Sequence, residues 1–312
     1  MLLDNGAHKN VRNKDGETAA DIAKRLGNKA VQELFRQDIG RAVQRACQSY
    51  SADRILNGEV AADDELPWMA ALGYFINERS FQIVFSCGGT IISNNFIMTA
   101  AHCVKNQRPV VVRMGKISLV DSDDDDTSTA IHRSIKNIMI HPGHSTLTKQ
   151  NDIALIEIKK LIPFSQYIRP ACLQINLRDE PLNVKLIVSG WGITSPEQNI
   201  RSTVLRKTEL VSMPLAQCNS SYLNWNRPIN DAAFRNGLIG GQYCAYDPAG
   251  RNDSCQGDSG GPLQYFANNG TSVATVVGIV SFGVSCGLTL PSIYTRVAYY
   301  LDWLEPIVWP NY

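Results

Sequence analysis

Long apolar runs, an excess of one charge and closely spaced cysteine pairs are all missing from this sequence. No apolar run approaches the roughly 18 residues that a membrane-spanning helix needs. The net charge of +1 gives no electrostatic argument for binding nucleic acid or an anionic membrane. No C-x-x-C pair occurs and no cysteine spacing suits zinc, so we predict no metal and no other cofactor.

A secretion signal is also missing. The first residues, Met1–His8, have neither the basic start nor the apolar stretch of such a signal, which predicts that the chain as written is not exported. The eight cysteines suggest the opposite, because an even number of cysteines outside a metal pattern is typical of disulfides in an oxidising compartment. Arithmetic alone leaves their pairing open.

The most informative segment that is present is a glycine-rich turn around a serine, Asp253–Pro262, which reads DSCQGDSGGP. A serine hydroxyl is a poor nucleophile unless a base takes its proton, and its reaction also needs backbone N–H groups directed at the oxyanion. His102 follows a short apolar run, and Asp152 begins a segment of alternating apolar and polar residues. Ser259, His102 and Asp152 are therefore candidates for one catalytic set.

From Ile55 to the C-terminus the chain resembles a chymotrypsin-fold serine protease. Six motifs carry the resemblance, in this order: TAAHC at 99–103, DIAL at 152–155, SGWG at 189–192, GDSGGP at 257–262, SFG at 281–283 and YTRV at 294–297. The resemblance implies that Ser259 is the nucleophile, His102 the general base and Asp152 the group that orients the imidazole. It also implies an oxyanion hole made by the backbone N–H groups of Gly257 and Ser259.

Many short alternating segments between turn signals predict an all-β sandwich or barrel. Periodicity cannot choose between these two, but the resemblance implies two six-stranded antiparallel β-barrels with the site between them. An apolar face over Tyr299–Val308 predicts a short C-terminal helix.

Three regions are predicted along the chain. Residues 1–36 resemble the end of an ankyrin repeat array, a small helical segment with TAAD in the last repeat. About three repeats are needed for stability, so we favour a remnant or a wrongly joined piece over a partner-binding array. Residues 37–54 read as a polar connector or pro-segment with Cys47, and residues 55–312 form the protease domain.

The connector ends in a sequence that resembles the activation junction of protease zymogens. Arg54 precedes Ile55, and cleavage between them would free an amine that in this family pairs with the aspartate before the serine, here Asp258. Without the amine we expect the oxyanion hole to be unformed, since a buried charge needs its partner.

The resemblance also implies how the cysteines pair and what the specificity pocket selects. The implied disulfides are Cys87–Cys103, Cys218–Cys244, Cys255–Cys286 and, joining the pro-segment to the catalytic domain, Cys47–Cys172. Asp253 takes the position at the floor of the primary pocket, which predicts cleavage after Arg or Lys. Ser281 and Gly283 would form the edge on which the substrate backbone lies. Ser292 replaces a glycine of the pocket wall and should narrow the pocket.

Within the family, the chain resembles the catalytic domains of arthropod clip-domain proteases of the snake and Persephone type. This resemblance implies an extracellular cascade, with protein substrates that include other zymogens, an upstream activating protease and serpin-type inhibitors. The clip domain itself is absent from the sequence. The alternatives are a digestive trypsin and a non-protease interaction module.

Two further features of the sequence, an acidic run and a set of sequons, predict exposed loops. The acidic run Asp121–Asp126 lacks the glutamate that opens calcium loops in relatives, so we expect a solvated loop. Sequons at Asn219 and Asn269 suggest surface loops that carry glycans in a secreted chain, whereas Asn252 should stay bare beside the pocket.

Overall fold

The structure is a computed structural model that describes residues 40–52, 65–77, 80–120, 130–195, 200–249, 258–266, 273–283 and 290–310. Several predicted features lie outside the described residues: the ankyrin-like segment 1–36, the Arg54–Ile55 junction, the acidic run, Asp253 with Gly257, Asn252, Asn269 and the Cys255–Cys286 pair. No helix in the described ranges is both long and apolar enough to cross a bilayer.

The first barrel is built from six antiparallel strands, which are β1 (Met69–Phe75), β2 (Ile83–Ile91), β3 (Phe96–Thr99), β4 (Val111–Met114), β5 (Ile131–Ile140) and β6 (Ala154–Ile158). They close the barrel in the order β1-β2-β3-β6-β5-β4. Six of the seven residues of β1 are buried, because the second barrel covers the outer face of this strand. Ser189 of the second barrel lies 3.2 Å from the sulfur of Met69, and the Trp68 indole donates to Gln264 at 2.6 Å.

The second barrel follows along the chain. Its strands are β8 (Leu186–Gly190), β11 (Arg206–Met213), β12 (Gln242–Tyr246), β13 (Pro262–Phe266), β14 (Ala274–Phe282) and β15 (Ser292–Arg296). They pair in the order β13-β8-β11-β12-β15-β14, and an additional β13–β14 pairing closes the barrel. The short β7 (Cys172–Leu173) runs parallel to β14, and β9 (Ile193–Ser195) pairs with β10 (Ile200–Arg201) as a separate hairpin. The predicted two-barrel fold is confirmed.

Four α-helices lie around the barrels within the described residues: α1 (Arg41–Ala52), α2 (Ala101–Lys105), α3 (Leu215–Asn226) and α4 (Leu301–Val308). A 3₁₀ turn over Val297–Tyr300 leads into α4, so the predicted C-terminal helix is present.

Asn219 lies in α3 rather than in a loop, and its side-chain oxygen accepts the N–H of Leu238 at 2.8 Å. The loop prediction for this sequon is therefore wrong.

The segment before the protease domain is a packed helix rather than a polar connector. The small side chains of α1 at positions 42, 43 and 46 are buried in the same core as the first barrel. Cys47 on the same helix forms the expected disulfide with Cys172 of β7. The Cys87–Cys103 and Cys218–Cys244 disulfides are also present.

A buried carboxylate accepts a hydrogen bond from the first turn of this helix. The side chain of Glu305 on α4 accepts the N–H of Val43 at 3.1 Å, and Glu305 is only 4% exposed. The first N–H groups of a helix lack partners within it and carry partial positive charge, so an anion stabilises them. Near the other end, the Tyr50 hydroxyl donates to the carbonyl of Ile92 at 2.9 Å. The helix is thus docked at both ends.

Candidate active site

His102 lies in the first turn of a helix that begins directly after β3. The preceding Ala100 is extended, and both Ala100 and Ala101 are fully buried, so a larger residue would not fit there. The next residue, Cys103, is fixed to β2 by its disulfide, and its carbonyl accepts the Tyr74 hydroxyl at 2.9 Å. The His102 side chain remains one third exposed (33%), which keeps its ring accessible from the cleft.

Asp152 precedes β6, and its side chain is 3% exposed. Its Oδ2 accepts His102 Nδ1 at 2.7 Å and the Ser281 hydroxyl at 2.5 Å, while Oδ1 accepts the backbone N–H of His102 at 2.9 Å. Burial by itself would raise the pKa of Asp152, but the hydrogen bonds from His102 and Ser281 hold that pKa below its usual range. The carboxylate is therefore charged, and it favours the tautomer with the proton on Nδ1 of His102.

The second barrel holds the backbone around this carboxylate. The hydroxyl of Thr295 on β15 donates to the carbonyl of Asp152 at 2.8 Å, and the Tyr300 hydroxyl donates to the side-chain oxygen of Asn151 at 3.0 Å. Neither role was predicted from the sequence. The only available signal for Thr295 was its place inside the YTRV motif.

Ser259 occupies a tight turn between the two barrels. Its carbonyl accepts the N–H of Gly88 on β2 at 2.8 Å, and the sulfur of Cys103 lies 3.6 Å from the same carbonyl. Gly260 has a φ of +80°, and a side chain there would collide with Thr99. Gly260 therefore lets this turn approach Thr99 at the end of β3, the strand that precedes His102.

Asp258 points toward the SGWG segment. Its Oδ1 accepts the N–H of Gly192 at 2.9 Å, and a β-carbon at either Gly190 or Gly192 would overlap this carboxylate. The two glycines of the motif are explained by this close approach. The predicted partner of Asp258, the amine of Ile55, lies outside the described residues.

The described part of the predicted pocket contains three residues. Ser281 is buried on β14, Gly283 is exposed just after that strand, and Ser292 is buried at the start of β15. A β-carbon at Gly283 would lie 3.9 Å from the Ser292 hydroxyl, so the two residues face each other. Asp253 at the predicted pocket floor and Gly257 of the predicted oxyanion hole lie outside the described residues.

One cluster in the described residues has ligand atoms close enough to hold a metal: Cys87, His102 and Cys103. Both sulfurs are bonded to each other in a disulfide, and zinc requires thiolates, so this cluster does not fit a metal site.

A second histidine adjoins the carboxylate and was not predicted. His144 lies in the loop between β5 and β6, with Nδ1 4.0 Å from Oδ1 of Asp152 and a side chain that is 2% exposed. No motif marks it, because its position depends on the path of the loop.

Comparisons with known proteins agree with this arrangement. A family profile described as Trypsin matches residues 55–304. The chain is 36% identical to serine protease Hayan of Drosophila melanogaster over 260 residues, 82% of this chain and 39% of that protein. It is 34% identical to serine protease snk of the same species over 292 residues, 91% of this chain and 64% of that protein. Phenoloxidase-activating factor 1 of Holotrichia diomphalia is 34% identical over 294 residues, 89% of this chain and 74% of that protein. The chain thus spans less than two thirds of the first two relatives.

Proposed function

The chain belongs to the trypsin family and carries a trypsin-like serine endopeptidase domain, and from this premise we propose that it is a zymogen activated by cleavage after Arg54 that cuts protein substrates after Arg or Lys. The activity proceeds in an extracellular proteolytic cascade. The observation that carries the proposal is the hydrogen-bonded pair of His102 and Asp152 beside the turn of Ser259.

This geometry supports the following roles for the three residues. Asp152 holds the proton on Nδ1 of His102, which leaves Nε2 as the basic nitrogen. Nε2 takes the hydroxyl proton as Ser259 Oγ attacks the substrate carbonyl, and it then gives that proton to the leaving amine. Water attacks the resulting ester by the same route, which restores the serine. The N–H groups of Gly257 and Ser259 would stabilise the oxyanion in both steps.

The preference for Arg and Lys rests on Asp253, which stands six residues before Ser259. A carboxylate at the pocket floor binds the guanidinium or ammonium group of a substrate side chain. An apolar substrate side chain would leave the same carboxylate without a partner. Gly283 supports the same proposal, since it leaves the space in front of Ser292 open.

Activation after Arg54 is supported by the orientation of Asp258. Its carboxylate is directed at the backbone of Gly192 within the second barrel, and the new amine of Ile55 would pair with it there. An α-amine has an unperturbed pKa of about 8, and pairing with a carboxylate favours its protonated form. Activity should therefore decline reversibly at alkaline pH as the amine loses its proton.

A cascade role is supported by the relatives, among which phenoloxidase-activating factor 1 is named for activating phenoloxidase. Its partners would be other zymogens as substrates, an upstream protease that cuts at Arg54 and serpin-type inhibitors. The disulfides of the described residues fit secretion into an oxidising compartment.

The test is a comparison of the wild-type chain with Arg54→Gln, both treated with trypsin. We expect wild type to become labelled by an active-site serine reagent and to hydrolyse Arg and Lys amides faster than Phe amides. Arg54→Gln should stay uncut and unlabelled, yet fold with its disulfides. Full turnover by uncut protein would contradict the zymogen, a preference for Phe would contradict the pocket, and no labelling after cleavage would indicate an inactive homologue.

A further inference from the structure

The histidine beside Asp152 has no well-formed hydrogen bond. Neither ring nitrogen of His144 meets full hydrogen-bond geometry with any residue that the structure describes, and the backbone of Gln150 gives the ring only a weak polar contact, although both nitrogens are buried. Buried polar atoms are almost always hydrogen-bonded, because leaving one poorly paired is costly. An imidazole retained under this cost, 4.0 Å from the carboxylate that orients the general base, suggests a role at that carboxylate.

The carboxylate has an available position on the side that faces His144. Oδ2 of Asp152 already accepts two side-chain donors, from His102 and Ser281, whereas among the described residues Oδ1 accepts only the backbone N–H of His102. A carboxylate oxygen can accept two hydrogen bonds. A small shift of the ring would bring Nδ1–H of His144 into hydrogen-bonding range of Oδ1.

The loop holds the ring in this place. The backbone N–H of His144 donates to the carbonyl of His141 at 3.0 Å, and Asn151 ties the loop together through its amide, which donates to Gly143 at 2.7 Å. Lys149 and Asn151 both have positive φ values, +55° and +53°, which return the chain sharply to Asp152. These contacts fix the backbone of the loop and so hold His144 beside Asp152.

Burial and the neighbouring groups together favour the neutral form of the His144 ring. Burial lowers the pKa of His144, and Lys105 and His102 from α2 lower it as well, while Asp152 and the weak contact with the backbone of Gln150 raise it. Burial also lowers the pKa of His141 in the same loop, while Asp302 acts on His141 in the opposite direction. At neutral pH His144 therefore faces Asp152 as a neutral, dipolar ring.

We propose that His144 is a positioning residue that directs an N–H at Oδ1 of Asp152 and so weakens the attraction of this carboxylate for protonated His102. A donor near the carboxylate stabilises its charge and opposes the positive charge on the adjacent imidazole. His102 consequently releases its proton at a lower pH than it would beside Asp152 and Ser281 alone. This inference rests on the proposed proteolytic function.

The test compares three variants of the cleaved protein by the pH dependence of kcat/KM. His144→Phe keeps the ring and removes the donor, so the acid limb should move to higher pH by about 0.5 unit, the size expected for one polar neighbour. His144→Asn places an amide nitrogen where Nδ1 stood and should leave the limb close to wild type. His132→Gln changes an exposed histidine on β5 and should leave the limb unmoved.

A second readout does not depend on turnover. NMR titration of the His102 ring in a Ser259→Ala background should show its pKa raised by His144→Phe and kept by His144→Asn. If Phe destabilises the loop, His144→Leu replaces it, with thermal unfolding as the check. The proposal would be overturned if His144→Phe changed neither the acid side of the pH profile of kcat/KM nor the NMR pKa of His102. It would also be overturned if His144→Phe and His144→Asn shifted these two quantities equally. Wild-type protein without activity after cleavage would instead contradict the proposed function.

Discussion

The two barrels contribute to the proposed active site in different ways. The first barrel supplies His102 and Asp152, whose mutual contacts are all made within that barrel. The second barrel supplies Ser259 and also reaches across, with Ser281 on the carboxylate and Thr295 on the backbone of Asp152. The proposed base and its orienting acid could therefore form in one barrel alone, but the carboxylate gains its hydrogen bond from Ser281 only when the second barrel is in place. The hydrogen bonding of Asp152 thus depends on the contact between the two barrels.

The largest effect should come from the single nucleophile of the second barrel. Ser259→Ala removes the covalent step and should lower kcat/KM by about 10⁴- to 10⁶-fold on an Arg amide. The smaller side chain should leave the fold intact, which circular dichroism and the unfolding midpoint will check. Retention of more than about a hundredth of the activity would contradict the assignment of this serine.

The next effect tests the pocket of the same barrel. Asp253→Ser should lower kcat/KM for Arg and Lys substrates by roughly 100- to 1,000-fold, because a desolvated charge loses its partner. Turnover of a Phe amide should change far less, since His102 and Asp152 are untouched. Equal losses on Arg and Phe substrates would show that the aspartate supports the site in general rather than the pocket.

A smaller effect should follow when the contact between the barrels is weakened. Ser281→Ala removes one hydrogen bond to a charged group and should lower kcat/KM by about tenfold. The pKa of Asp152 is depressed in the folded protein, so its contribution to stability is present above the unfolded value and is lost as pH falls through the folded one. The variant should lose that stability at a higher pH than wild type. An unchanged acid unfolding profile would show that Ser281 does not stabilise the carboxylate.

The smallest effect concerns the docked helix, which belongs to neither barrel. Glu305→Gln keeps the size of the side chain but removes the charge at the start of α1, and should lower the free energy of unfolding by about 1 kcal/mol with kcat unchanged. Glu209→Gln serves as the control, because that carboxylate forms an exposed ion pair and should matter less. Equal effects of the two changes would contradict a specific role for Glu305.

Sequence reasoning found the fold and the candidate site because the motif residues fulfil local requirements. The glycines of SGWG make room for Asp258, and the glycine after Ser259 permits a positive φ. Strand β5 shows no clear alternation in the sequence, because a register shift between Ile135 and Asn137 interrupts it in a strand that carries Arg133 and Lys136.

Two features depend on contacts between distant parts of the chain. Helix α1 resembled a polar connector in the sequence because it buries mainly small residues. The carboxylate that caps it belongs to Glu305, 262 positions after Val43 in the chain. The approach of His144 to Asp152 depends on positive φ values at residues other than glycine, which no pattern signals.

The docking of α1 has a consequence for where the enzyme acts. This helix is held by the Cys47–Cys172 disulfide and by the contact of Val43 with Glu305, and each of these links joins a residue before the proposed cleavage point to a residue after it. Cleavage after Arg54 would therefore produce a molecule of two chains that do not part. Any module preceding Gly40 would be carried along with the active protease, and its binding to a surface would raise the local concentration of the enzyme there.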